Sequence, residues 1–204
     1  MNEQIGESLQ PNVLGKQATV PRQHYSLNLQ RLWSDGRAVL RAYWYLRRAT
    51  KLGTRVRLWG RAVVDNQGTL VVGDRARLVS TIVPLELATG KQGLLEIGTS
   101  AFINYGCSIA ATQLVRIGPR CNIGTYVIMM DNDFHRIEPE LREEMPPSAP
   151  IILEENVWLG ARVIVLRGVT IGAGSVVAAG SVVTRDIPPR SLAAGLPARV
   201  IRQI

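Results

Sequence analysis

Aromatic side chains are scarce in this chain. Phe occurs twice, and aromatics make up 5% of 204 residues. A core built from this supply is aliphatic, filled by Val, Ile, Leu and Ala, which suits a narrow interior better than a thick sandwich. Cysteine is scarce too. Cys107 and Cys121 are the only two, too few for a disulfide framework. No apolar run approaches the roughly 20 residues that a membrane-spanning helix needs. The first ten residues, MNEQIGESLQ, lack the basic start and apolar stretch of a signal peptide, so the expected compartment is the cytoplasm.

Acidic residues are few at one end. Residues 1–53 hold eight Lys/Arg (Lys16, Arg22, Arg31, Arg37, Arg41, Arg47, Arg48, Lys51) against Glu3, Glu7 and Asp35, an excess of +5 within a total of +8. Such a bias fits nucleic acid, an anionic membrane or a phosphorylated small molecule. Nucleic acid ranks lowest, because basic and aromatic residues do not interleave on the strands that follow.

Residues 1–25 are polar and aperiodic, with Pro11 and Pro21, and read as an N-terminal arm; His24 lies here and is given no role. In 26–53 the period becomes helical. Leu29, Leu32, Trp33, Leu40, Tyr43 and Trp44 recur at spacings of three, four and seven, with Arg37, Arg41 and Arg48 opposite. Ser34-Asp35-Gly36 is expected to interrupt this helix, with Ser34 or Asp35 capping a second one. Two readings follow. The aromatics pack over the end of the next domain, or residues 26–50 make a peripheral contact with a membrane surface. The first is preferred.

From Thr54 the helical period is gone. RVRLWG, RAVVDNQG and LVVGDRARLVS read as brief strands, and PLELATGKQG as an irregular insert. A period of six then takes over: Ile97, Ile103, Ile109; after a two-residue slip, Ile117, Ile123, Met129; and after an interruption at 136–150, Leu153, Leu159, Val165, Ile171, Val177, Val183. Two positions before members of this series stand Ala101, Cys107, Cys121, Val127, Val157, Val163, Val169, Ser175 and Ser181. Residues two apart on a strand share a face, so each hexad offers a small and a larger inward residue and then turns. That is a solenoid signature. It also makes both cysteines buried spacers rather than redox groups or ligands.

The ladder, and above all NVWLGARVIVLRGVTIGAGSVVAAGSVVTRDIPPRSLAAGLPARVI at 156–201, resembles the hexapeptide-repeat acyltransferases, nearest to the galactoside, maltose and xenobiotic O-acetyltransferases and related polysaccharide O-acetyltransferases. The resemblance spans roughly residues 54–204. It implies an all-β fold, a left-handed parallel β-helix over 54–204 with an N-terminal helical segment and a protruding loop at 136–150. It implies acetyl-CoA as cosubstrate, no metal, and a homotrimer with active sites between subunits. By position it makes His135, in DNDFHR, the catalytic base. Asn104, in Asn104-Tyr105-Gly106-Cys107, becomes the acceptor contact. Ala161, after Trp158-Leu159-Gly160, becomes the backbone donor to the thioester oxygen. Ala179, Thr184, Arg185 and Arg199 become the CoA-binding residues. The N-terminal region does not resemble the helical leader of the sugar acetyltransferases, so acceptor residues from that leader have no counterpart.

The chemistry is consistent with the residues. A neutral histidine can take a hydroxyl proton near neutral pH, a backbone N–H can face an oxyanion, and no nucleophile–base motif demands a covalent intermediate. Asp131 or Asp133 could orient the imidazole or could serve local turns; Asn104 could equally be a corner residue, and Arg185 and Arg199 solvated surface. A γ-class carbonic anhydrase shares the β-helix but needs three histidines, and this chain has two. A non-catalytic β-helical scaffold would keep the ladders without needing His135. The expected reaction is acetyl transfer to a hydroxyl of a sugar or polysaccharide precursor, with an antibiotic or other xenobiotic hydroxyl as the alternative acceptor.

Overall fold

The computed structural model of the chain describes residues 29–204, with side chains from Trp33 onward. The arm at 1–25, including His24, lies outside the described residues. One α-helix, α1 (Leu29–Tyr45), is followed only by strands and one 3-10 turn, Pro139–Leu141.

The strands wind into a parallel β-helix of seven turns with three faces. The first face stacks Lys51–Leu52, Thr69–Val72, Leu94–Ile97, Leu114–Ile117, Ile151–Leu153 and Thr170–Ile171, and Ile187 bridges onto Ile171. The second face carries Phe102–Ile103, Asn122–Ile123, Trp158–Leu159, Val176–Val177 and Ser191–Gly195 beneath the first halves of Arg57–Asn66 and Arg77–Thr89. The third face carries Ser108–Ala111, Ile128–Met130, Ile164–Val165 and Val182–Val183. The closing strand Ala198–Gln203 runs antiparallel to Ser191–Gly195.

Both residues of each hexad face inward, as the period of six predicts. Every member of both inward series, from Ile97 and Ala101 to Ser181 and Val183, is at most 1% exposed. The parallel register explains why: Ile103 sits on Ile123, Ile123 on Leu159, and Leu159 on Val177. Each aliphatic therefore covers the one before it at the roughly 4.8 Å rung spacing, and the thin interior is continuous. The two-residue slip also has a structural basis, since it lets both Ala111 and Val115 turn inward. Glycine after the aliphatic is a packing need. A Cβ on Gly124 would lie 2.7 Å from the Ala161 nitrogen, and one on Gly160 would lie 2.5 Å from the Ala179 nitrogen.

Three expectations are corrected. PLELATGKQG is not an irregular insert. Leu85, Leu87 and Thr89 alternate inward and pair with Ala62–Asn66 in register, because the bend before them is held by buried Ser80, whose Oγ accepts from the Leu85 N–H at 2.7 Å and donates to the Arg61 carbonyl. Helix α1 is not broken at Ser34-Asp35-Gly36. Gly36 faces open space, and the Asp35 carboxylate pairs with Arg57 of the first turn at 3.5 Å instead of capping. The helix ends at Tyr45, and the first rung of the solenoid is Lys51–Leu52, ahead of Thr54.

The preferred docking of that helix is also inverted. Ala38, Ala42 and Leu46 face the body, and the latter two join the core beside Val56 and Leu58. Trp33, Leu40, Tyr43 and Trp44 point away and are exposed. Small residues let the helix axis approach the end of the narrow solenoid closely; a tryptophan there would hold it off.

Candidate active site

The ladder breaks where the third face ends. Asp131 is buried, and its carboxylate accepts from the backbone N–H groups of Thr112, Gln113 and Leu114, each at 2.7 Å. It therefore staples the preceding corner and does not orient the histidine. Asn132, also buried, donates to the Pro146 carbonyl and to Ser148 Oγ, both at 2.8 Å, and accepts from the Phe134 N–H at 2.6 Å. Phe134 is thereby held at φ 62°, a conformation a bulky residue seldom adopts. Backbone strain of this kind persists only where the surroundings enforce it, and here it aims the next residue.

That residue is His135. Its N–H donates to the Asp133 carbonyl at 2.7 Å, closing a tight turn. Its Nδ1 lies 3.0 Å from the Arg142 carbonyl. A carbonyl can only accept, so Nδ1 is the donor, and in the neutral imidazole the lone pair is on Nε2. Among the described residues Nε2 has no hydrogen-bond partner. Asp133 is engaged elsewhere, accepting from Arg167 Nε at 2.5 Å. The loop that supplies the Arg142 carbonyl is pinned by Arg136–Glu144 at 3.4 Å, by Ala149 N–H to the Asp131 carbonyl at 2.9 Å and by Gly168 N–H to the Ala149 carbonyl at 3.0 Å. The sequence left Asp131 and Asp133 open between orienting the imidazole and serving local turns; a loop carbonyl seven residues on leaves no sequence signal.

The other candidate residues from the sequence gather on a different edge. Asn104, Ala161 and Ala179 follow second-face strands and precede third-face strands, so they share the edge between those faces. Asn104 Oδ1 accepts from the Tyr105 N–H at 2.9 Å, so it serves the corner, and it also lines a cleft. Ala161 and Ala179 stack in successive turns, joined by the Gly180 N–H to the Ala161 carbonyl at 2.8 Å. The Ala161 N–H has no protein acceptor among the described residues. Arg199, in the closing strand opposite Ala194, is exposed near this same edge. Thr184 and Arg185 are exposed at the edge between third and first faces, which is the edge of His135.

The cleft has a volume of about 550 Å³ and is lined by Phe102, Asn104, Asn122, Asn156, Trp158 and Val176 along the second face, with Gly124 and Gly174. Trp158 is 56% exposed there, so it is a wall rather than a core residue. Beside the cleft, Tyr105 and Tyr126 pack edge to face at 5.6 Å, and Arg162 covers Tyr126 at 5.7 Å. Nothing in the hexad pattern marked Asn122 or the two tyrosines, because outward positions are free of the core constraint.

The cysteines stay out of this chemistry. Burial pushes both thiols up to about 11, and their Sγ atoms donate to the carbonyls of Gly124 (3.1 Å) and Glu154 (3.0 Å). A thiol in that state is no nucleophile at neutral pH. Among the described residues no group of His, Cys, Asp and Glu is placed to hold a metal ion.

Residues 150–185 match the family model described as the hexapeptide repeat of succinyl-transferase. The galactoside O-acetyltransferase of Escherichia coli (strain K12) is 43% identical over 112 residues, 54% of this chain and 54% of that protein. The chain thus spans about half the length of such curated relatives. A hexapeptide-repeat acetyltransferase of Vibrio cholerae, solved with acetyl coenzyme A, superimposes with a TM-score of 0.57 at 27% identity, covering 88% of this chain and 90% of that one. A galactoside acetyltransferase in complex with coenzyme A gives 0.53 at 34% identity over 69% of this chain and 64% of that one. The resemblance drawn from the ladder therefore holds in sequence and in fold.

Proposed function

From the hexapeptide-repeat β-helix that this chain shares with those acetyltransferases, we propose that it is an acetyl-CoA-dependent O-acetyltransferase acting on a hydroxyl of a sugar or polysaccharide precursor. The observation that carries this reading is the state of His135: Nδ1 is tied to a carbonyl and Nε2 is unencumbered, which is what a general base requires. Nε2 takes the acceptor hydroxyl proton as the oxygen attacks the thioester carbonyl carbon. The tetrahedral oxyanion is met by the Ala161 N–H. The C–S bond then breaks, and the CoA thiolate leaves and is reprotonated from the imidazolium. No acyl-enzyme forms.

The two sets of residues lie on two edges of the same prism, so the reading includes a second copy. The edge with His135, Thr184 and Arg185 faces the edge with Asn104, Ala161, Ala179 and Arg199 of a neighbour, as in a homotrimer with three such clefts. Relatives named galactoside O-acetyltransferase favour a sugar acceptor; a xenobiotic hydroxyl is the second acceptor class to test. The decisive experiment is acetyl-CoA turnover with a panel of sugars and antibiotics. His135→Ala is expected to lower kcat by roughly 10²–10⁴-fold with an unchanged circular dichroism spectrum. Full activity in that variant would overturn the reading, and no turnover by the wild type on any acceptor would favour a scaffold.

A further inference from the structure

Helix α1 presents two opposed faces, and only one of them is used. At roughly 3.6 residues per turn, Ala38 and Ala42, continued by Leu46 just past the helix end, fall about opposite to Trp33, Leu40 and Trp44. The first set is buried against the solenoid. The second is exposed by 71%, 70% and 66%, with Tyr43 beside it. Large apolar side chains gathered outward on one helix face mark an interaction surface.

The charge around this patch says what covers it. Arg37, Arg41, Arg47 and Arg48 are all exposed around the apolar stripe. Arg37 lies over the Trp33 ring at 5.9 Å and Arg47 over the Trp44 ring at 5.0 Å. The helix's one acidic residue, Asp35, is already paired with Arg57. A concavity of about 420 Å³ opens between Trp33, Ser34, Arg37, Arg41 and Trp59. Among the described residues neither Arg37 nor Arg41 has a carboxylate partner. An unneutralised pair of guanidinium forks beside two indoles suits a phosphate-bearing headgroup, and Trp, Tyr and Arg beside aliphatic carbon suit the boundary between headgroups and acyl chains. Packing this face on the same face of another copy would instead bring two basic clusters together.

We propose that helix α1 docks the protein on an anionic membrane. Trp33, Leu40, Tyr43 and Trp44 enter the interface, while Arg37 and Arg41 hold phosphates in the concavity. No described helix is long and apolar enough to cross a membrane, so the contact is peripheral. Trp59 neighbours Arg57 on the outer second face, and Arg57, Arg77 and Phe102 form one column. Phe102 of the cleft is therefore two rungs from Arg57, about 10 Å. If the acyl-transfer reading holds, an acceptor carried at the membrane surface lies within reach of that cleft.

The test is co-sedimentation of the full chain with vesicles of phosphatidylcholine alone or with 30% phosphatidylglycerol, roughly at physiological salt. The expected result is binding to the anionic vesicles only, with blue-shifted tryptophan emission. A Trp33→Ser/Leu40→Ser/Trp44→Ser variant is expected to bind at least about 10-fold more weakly, and Arg37→Ala/Arg41→Ala to lose the preference for anionic lipid. Unchanged melting temperatures identify these as surface effects. Failure of the wild type to bind, or equal binding by the variants, overturns the proposal. So does loss of self-association in the serine variant by analytical ultracentrifugation, which would assign the face to a second copy. None of these readouts depends on acetyl transfer, so the two proposals fail separately.

Discussion

The solenoid and helix α1 were both read from hydrophobic periodicity, and the same rule succeeded in one and inverted in the other. In the solenoid, inward residues stack on copies of themselves one rung away, and a one-residue error would expel the whole series. Burial there is over-determined. In the helix, two faces compete for the body, and the choice depends on how closely the axis approaches. Ala38 and Ala42 won because they permit close approach, leaving the larger apolar residues outside. Periodicity locates an apolar stripe; it identifies the core-facing stripe only when there is no small-residue alternative.

Substitutions can sharpen this contrast. The largest effect is expected inside the ladder: Ile117→Ala or Ile123→Ala removes a stacked, fully buried side chain and costs about 2–5 kcal/mol in denaturant unfolding. A loss below about 1 kcal/mol would break the account of a continuous core. Next comes the helix seam, where Ala42→Leu is expected to cost about 1–3 kcal/mol by overpacking. On the outward stripe, Leu40→Ala should stay within about 0.5 kcal/mol; the reverse ranking of these two would restore the docking that the sequence suggested. The thiols give the finest test. Their folded values of about 11 exceed the ordinary 9.0 because burial disfavours the thiolate. The stabilising contribution of these neutral thiols is complete below pH 9 and is lost as pH rises towards 11. Aromatic-disulfide labelling of native protein at pH 8 should therefore await unfolding, and rapid labelling would contradict burial.

Much of the fold was legible because the period of six records core contacts directly. The strand Leu85–Thr89 was missed because its neighbours Pro84 and Gly90 read as punctuation, while of the Ser80 hydrogen bonds that permit the bend one reaches Leu85 five residues on and the other reaches Arg61 in the turn before. At the candidate site, the position of His135 was legible from the broken ladder. Its tautomer was not, since the Arg142 carbonyl is brought to it by a loop whose path depends on Asn132, Pro146 and Ser148. The period of six does not by itself put His135 and Ala161 on different edges, since that requires knowing which face each hexad occupies; only the resemblance, with its active sites between subunits, implied it.

That separation of edges is the centre of the account, and mixed oligomers test it most directly. His135→Ala and Ala179→Trp each disable one edge, and each is expected to be inactive alone. Co-expressed in equal amounts, they should recover about one quarter of wild-type activity, because that share of random interfaces joins two intact edges. Absence of recovery in verified mixed oligomers would place the whole site in one chain and contradict the account.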